Sequence, residues 1–138
     1  MVSEDLTMTS QTDQTFHNLT HLDFEPGEYE GCTFIGCNFS NLNFHGSSFE
    51  SCTFKDCDLS NAKIFKVSFQ NVRLERCKVL GVHFNTANAF LMEFQFEHCQ
   101  LDYCNFFNLK LKKSQFKNSR LLEVDFTQAE LQEVDFQG

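Results

Sequence analysis

From Cys32 onward, a large apolar residue recurs every five positions. The first run of these centres is Phe34, Phe39, Phe44, Phe49, Phe54, Leu59, Ile64, Phe69, Leu74, Val79 and Phe84. After the segment NTANAFLM a second run follows: Leu91, Phe96, Leu101, Phe106, Leu111, Phe116, Leu121, Phe126, Leu131 and Phe136. The one irregular step, from Phe84 to Leu91, puts a two-residue insertion near 85–90. Two positions before each centre stands a second selected residue, mostly small, such as Cys32, Cys37, Ser47, Ala62, Val82 or Ser119. The other three positions are mostly polar. A helix repeats every ~3.6 residues and a strand every ~2, so neither alone explains a period of five. Two inward and three outward residues describe one short side of a tube. Four sides close a coil of twenty residues, and coils stack through strand-like hydrogen bonds at roughly 4.8 Å. The pattern predicts an all-β, parallel β-solenoid in which each coil buries its neighbours' faces.

The period divides the chain. Residues 32–138 read as the solenoid. Residues 16–31, with Leu19, Phe24 and Tyr29 as weaker centres, read as degenerate repeats or an N-terminal cap. Residues 1–15 are polar and aperiodic, which predicts a flexible leader.

Composition supports a repeat: eighteen Phe, one Pro and no Trp in 138 residues is a strong bias. The net charge of −8 is unevenly spread. Residues 1–30 hold seven of the nineteen acids and no Lys or Arg, leaving twelve acids against eleven bases in the repeat. No apolar run is long enough for a membrane span and no export leader is evident, so a cytoplasmic protein without membrane contact is expected. Seven cysteines, all two before a centre, suit a reducing compartment. They could be metal or redox ligands, or compact buried filler. No C-x-x-C pair occurs, and five-residue spacing puts neighbouring thiols on different sides, which favours filler. His17 and His21 share a face only on a helix, and His45, His83 and His98 fall on separate outward positions. No phosphate-binding glycine loop, nucleophile elbow or H-E-x-x-H motif is present. The reading is of no enzyme, no cofactor and no metal.

The regular pentads, with a small residue two before the centre and at several of them Asn or Asp just before it, as in an A(D/N)LXX-like consensus, resemble the pentapeptide-repeat family. The resemblance covers at least Cys32 to Gly138. It implies a right-handed quadrilateral parallel β-helix, in agreement with the tube argued from the period. GEYEGCTFIGCNFS and LKLKKSQFKNSRLLEVDFTQAEL are most similar to the quinolone-resistance and microcin-immunity branch. That likeness implies a non-enzymatic protein-binding solenoid that protects DNA gyrase or topoisomerase IV as a DNA-like rod. The near-neutral repeat argues against such mimicry. The alternative is a general protein-interaction scaffold.

Phe65, Leu80, Phe107 and Leu122 each stand one past a centre, where polar residues usually lie. Counting four sides per coil puts Phe65 with Phe107, and Leu80 with Leu122 on the next side. They form a candidate partner-binding strip, or are scattered surface apolars of the ordinary kind. Lys110, Lys112, Lys113, Lys117 and Arg120 read as part of a mixed-sign solvated surface, with no direct nucleic-acid binding expected. The coil around Leu131 and Phe136 needs a cover, which predicts an end-to-end homodimer.

Overall fold

The structure is a computed structural model that describes residues 9–138. Ten short strands form two sides of a four-sided tube. On one, β1 (Thr9–Thr12), β3 (Gly27–Glu30), β5 (Ser48–Glu50) and β7 (Ser68–Gln70) stack in parallel. On the other stack β2 (Thr15–His17), β4 (Thr33–Ile35), β6 (Thr53–Lys55), β8 (Val72–Glu75), β9 (Phe94–Glu97) and β10 (Gln115–Lys117). The remaining two sides are held by single bridges, such as Asn38 to Asp58 to Lys78 and His83 to Asn105 to Asp125. We number the sides by their centres. Side 1 carries Phe34, Phe54 and Leu74, side 2 Phe39, Leu59 and Val79, side 3 Phe44, Ile64 and Phe84, and side 4 Tyr29, Phe49 and Phe69. The whole is the quadrilateral parallel β-solenoid that the five-residue period predicts.

The interior is an aromatic column. Phe16, Phe34 and Phe54 stack on side 1, at ring separations of 5.0 and 4.8 Å. Phe84, Phe106 and Phe126 do so on side 3, at 4.7 and 5.4 Å. Rings from adjacent sides meet edge-on, as Phe34 meets Phe39. Offset stacking and edge contacts are the arrangements that the ring quadrupole favours.

The polar positions have their own reason. Asn38, Asn43, Asp58, Asn105, Asp125 and Asp135, each just before a centre, and Asn88 in the same register, accept a hydrogen bond from the backbone N–H two residues on. This local bond starts the corner. Two past the centre the backbone turns left-handed, as at Asn41, Asn61 and Gly81, a conformation that Asn and Gly tolerate best. Where the small inward residue is Ser, its hydroxyl serves the coil before it. Ser47, Ser114 and Ser119 accept from the N–H groups of Gly27, Phe94 and Cys99. Strictly inward side chains thus satisfy backbone groups that no strand pairs.

Two expectations are corrected. Residues 9–12 do not form a flexible leader: β1 pairs with β3, and β2 with β4, at a spacing of eighteen. Gln11 takes the centre position opposite Tyr29, so this strand lacks the apolar mark that identifies the others. Residues 1–8 of that leader lie outside the described residues. The insertion also moves. Ser68 bridges Asn88, twenty residues on, but Val72 pairs with Phe94, twenty-two on. The two extra residues therefore lie between Asn88 and Phe94. Leu91, expected as a centre, sits in left-handed backbone and is 64% exposed beside Phe90. Ala89 is exposed too, while Met92 and Phe94 enter the core. Extending a corner leaves the stacked sides intact, whereas extending a side would break its pairing.

Candidate protein-binding face

Side 3 presents a ladder of outward residues just before its centres: Asn43, Lys63, His83, Asn105 and Asp125. Its two edges are corners, and both carry apolar side chains. At the edge toward side 4 stand Phe65, 59% exposed, and Phe107, 39% exposed. The edge toward side 2 holds Leu122, 46% exposed, and Tyr103, 59% exposed, with Leu80 half-buried between coils.

Local chemistry fixes these side chains. Asn105 accepts the N–H of Phe107 at 2.8 Å, which sets the turn that throws the ring outward. Asp102 is buried, accepts the N–H of Leu122 at 3.0 Å and pairs with Arg120 at 2.8 Å. Ser60 does the same for the N–H of Leu80 at 3.3 Å. Lys66 lies over the Phe65 ring, 5.3 Å from its centroid, leaving the other face open. Beside that ring is a shallow hollow lined by Ala62, Lys63, Ile64, Phe65, His83 and Thr86. Hydrogen bonds from Thr127 hold the Asp125 carboxyl below the usual carboxylate range, so the end of the ladder stays anionic.

Of the four apolar residues singled out in the sequence, Phe65, Phe107 and Leu122 are exposed at two edges of one side, and Leu80 is partly covered. The pairing across two coils is as counted, since Asn85 and Asp102 occupy the intervening positions. Tyr103 lies two past a centre, at the left-handed turn itself, outside the row of apolar residues one past the centres that the sequence marks. Phe90 and Leu91 form a separate exposed pair at the corner between sides 4 and 1. Leu131 and Phe136 are partly exposed on sides 4 and 1, and Phe136 stacks on Phe116 at 5.3 Å.

The cysteines carry no comparable site. All seven are buried and unpaired. Cys37, Cys57, Cys77 and Cys99 form one column, in which Cys57, Cys77 and Cys99 donate to the carbonyls of Phe34, Phe54 and Leu74, each at 3.3 Å. Cys99 keeps the column despite its spacing of twenty-two, because the insertion falls before it. Burial pushes Cys52 up to about 11 and Cys104 up to about 12, so both are thiols rather than thiolates at neutral pH. No group of three or more His, Cys, Asp or Glu is arranged to hold a metal among the described residues. In the same residues no helix is long and apolar enough to cross a membrane. The basic run is largely paired: Lys112 with Glu133 at 3.4 Å, Lys117 with Asp135 at 3.8 Å, Arg120 with Asp102.

Comparison with known proteins agrees with this architecture. A pentapeptide repeat region profile matches residues 28–95, and a profile of eight pentapeptide repeats matches 95–138. No curated protein matches the chain. Among solved structures, a trypsin-treated variant of QnrB1, a plasmid-mediated fluoroquinolone resistance protein, is similar at 22% identity. The match covers 93% of this chain and 72% of that one with a TM-score of 0.60. Full-length QnrB1 matches at 20% identity over 91% of this chain and 71% of its own, TM-score 0.44. Rfr23, a pentapeptide repeat protein from the cyanobacterium Cyanothece 51142, matches at 11% identity over 91% and 90%, TM-score 0.30.

Proposed function

The chain belongs to the pentapeptide-repeat family, and from that premise we propose that it works without catalysis, as a rigid rod that binds another protein along side 3. The observation that carries this reading is the pair of apolar edges, Phe65 with Phe107 and Tyr103 with Leu122, around a mixed polar ladder. Exposed aromatic anchors surrounded by polar groups are the usual makings of an interface. A convergent polar cavity, the setting for catalysis, is lacking along this side among the described residues, and the tube is filled with rings.

The finer reading is protection of a type II topoisomerase, DNA gyrase or topoisomerase IV. Its support is the family and the fold likeness to QnrB1. Five steps separate the first and last strands of the side 1 sheet, roughly 24 Å at strand spacing. That is about seven base pairs of duplex, a short rod, and its charges are mixed rather than uniformly anionic.

The test is gyrase supercoiling with a fluoroquinolone present. If the finer reading holds, the chain restores supercoiling and a Phe65→Asp, Phe107→Asp variant of unchanged melting temperature does not. Failure of the unmodified chain at every drug level removes the topoisomerase reading. The broader one is then tested with a photo-crosslinking residue at position 107 and, as control, at Lys55 on side 1. In cells, adducts to a discrete protein from 107 alone support it; equal labelling from both positions sinks it.

A further inference from the structure

Side 4 carries a group of acids near one end and a group of lysines towards the other. Near one end, Glu28 and Glu30 are exposed on β3, and Glu30 pairs directly with Glu50 on β5. Like charges directly opposite each other on neighbouring strands destabilise a sheet. None of these three carboxylates makes an ion pair among the described residues, although Arg and Lys are placed to do so elsewhere on the tube. Towards the other end, Lys110, Lys112 and Lys113 share one stretch of coil. Lys112 alone makes an ion pair, with Glu133, and that contact is solvent-exposed and so weak; Lys110 has Glu130 beside it on the next coil without an ion pair between them.

The positions of the two groups match. Glu28 and Lys110 both stand just before a side 4 centre, Glu30 and Lys112 just after one. Glu30 lies four coils from Lys112, counting through Glu50, Gln70 and Phe90, roughly 19 Å at strand spacing. Between them the outward residues before the centres are short: Ser48, Ser68 and Asn88. The row after the centres is longer, Glu50, Gln70 and the 66% exposed Phe90, so the faces approach most closely along the short row.

We propose that a second copy of this chain docks here, side 4 against side 4 and antiparallel, on a two-fold axis through Ser68 and Gln70. A two-fold lying in the interface across the tube reverses the order of coils and keeps each lateral position. Glu28 then meets Lys110 of the second copy and Glu30 meets Lys112, and the symmetry repeats both contacts. Ser48 faces Asn88, and Phe90 covers the methylenes of Glu50. Such an isologous face closes at two copies. The face is distinct from side 3, and its dimer is side by side, unlike an end-to-end pairing through Leu131 and Phe136.

Sedimentation tests the full chain in about 20 mM and about 500 mM salt, since screening acts on exposed charge pairs within this range. A dimer at low salt, with a dissociation constant raised at least about tenfold at high salt, is expected. Glu28→Lys with Glu30→Lys should give a monomer, as should Lys110→Glu with Lys112→Glu. Mixing these two variants should restore the dimer, because every facing pair again has opposite sign. Ser68→Cys should form a disulfide across the axis, which an end-to-end dimer cannot. A monomer at low salt, or a dimer untouched by either charge reversal, overturns the proposal. A folding defect would not mimic the result, because only correctly folded variants can complement each other.

Discussion

Tyr29 shows how one side chain serves both packing and charge. Its ring stacks on Phe49 at 5.5 Å and on Phe24 at 5.4 Å, and its hydroxyl donates to the carbonyl of Glu25. Burial, helped by the negative charge of Glu25, pushes its pKa up to about 12. An unfolded tyrosine ionises near pH 10, about where the model-compound value lies. The folded chain therefore holds this proton more tightly than the unfolded one. The stability it contributes is present in full below about pH 10 and is lost as pH rises towards about 12. Urea midpoints at mildly and strongly alkaline pH should diverge more for the native chain than for Tyr29→Phe, which lacks the ionisable group. Equal alkaline losses in both would show that Tyr29 ionises no later than a free phenol.

Among the elements, β1 is the one that the repeat pattern conceals, and it depends on a single residue opposite. Gly27 opens β3 directly beside Thr9, and a Cβ there would stand on the Thr9 carbonyl oxygen. That oxygen belongs to the backbone and cannot swing aside. Gly27→Ala should therefore lift β1 off the sheet while leaving β5 and β7 paired. Amide exchange would check it: protection lost at Ser10 to Thr12 and kept at Phe49 and Phe69. Retained protection in β1 would mean that the strand is not seated as described. The corners are more forgiving, because each is closed locally by an Asn or Asp oxygen and the N–H two residues on, as at Asn105 and Phe107.

At the scale of the whole molecule, stability is a sum over coils, each contacting the ones beside it. Phe106 is fully buried, lies between Phe84 and Phe126 in one stack and meets Phe96 and Phe116 edge-on. Phe106→Ala empties a site bounded by backbone on every side, so the tube cannot collapse around it. The expected loss is about 3–5 kcal/mol, in the range for a buried Phe with little relaxation. Denaturant unfolding measures this directly, and a loss far below that range would mean that the stack closes over the gap.

The period of five, the two inward positions and the polar three decide the solenoid, because each side must bury two residues and turn on the other three. That much is local, and the stacked coils from Cys32 onward follow from it. The family and the outward course of Phe65, Phe107 and Leu122 were legible for the same reason. Other features depend on which coil lies above which. The strand at Thr9 carries Gln11 where a centre should be, and only its hydrogen bonds to β3 hold it in register. The insertion could have lengthened any corner between Phe84 and Phe94; bridges from Ser68 and Val72 locate it beyond Asn88 and turn Leu91 outward. Charge is the last case. Glu30 and Lys112 are far apart in sequence and unremarkable singly, yet they share a lateral position on side 4 because stacking adds one whole turn at a time. Pairing between coils is a long-range choice, and a single period along the chain does not specify it.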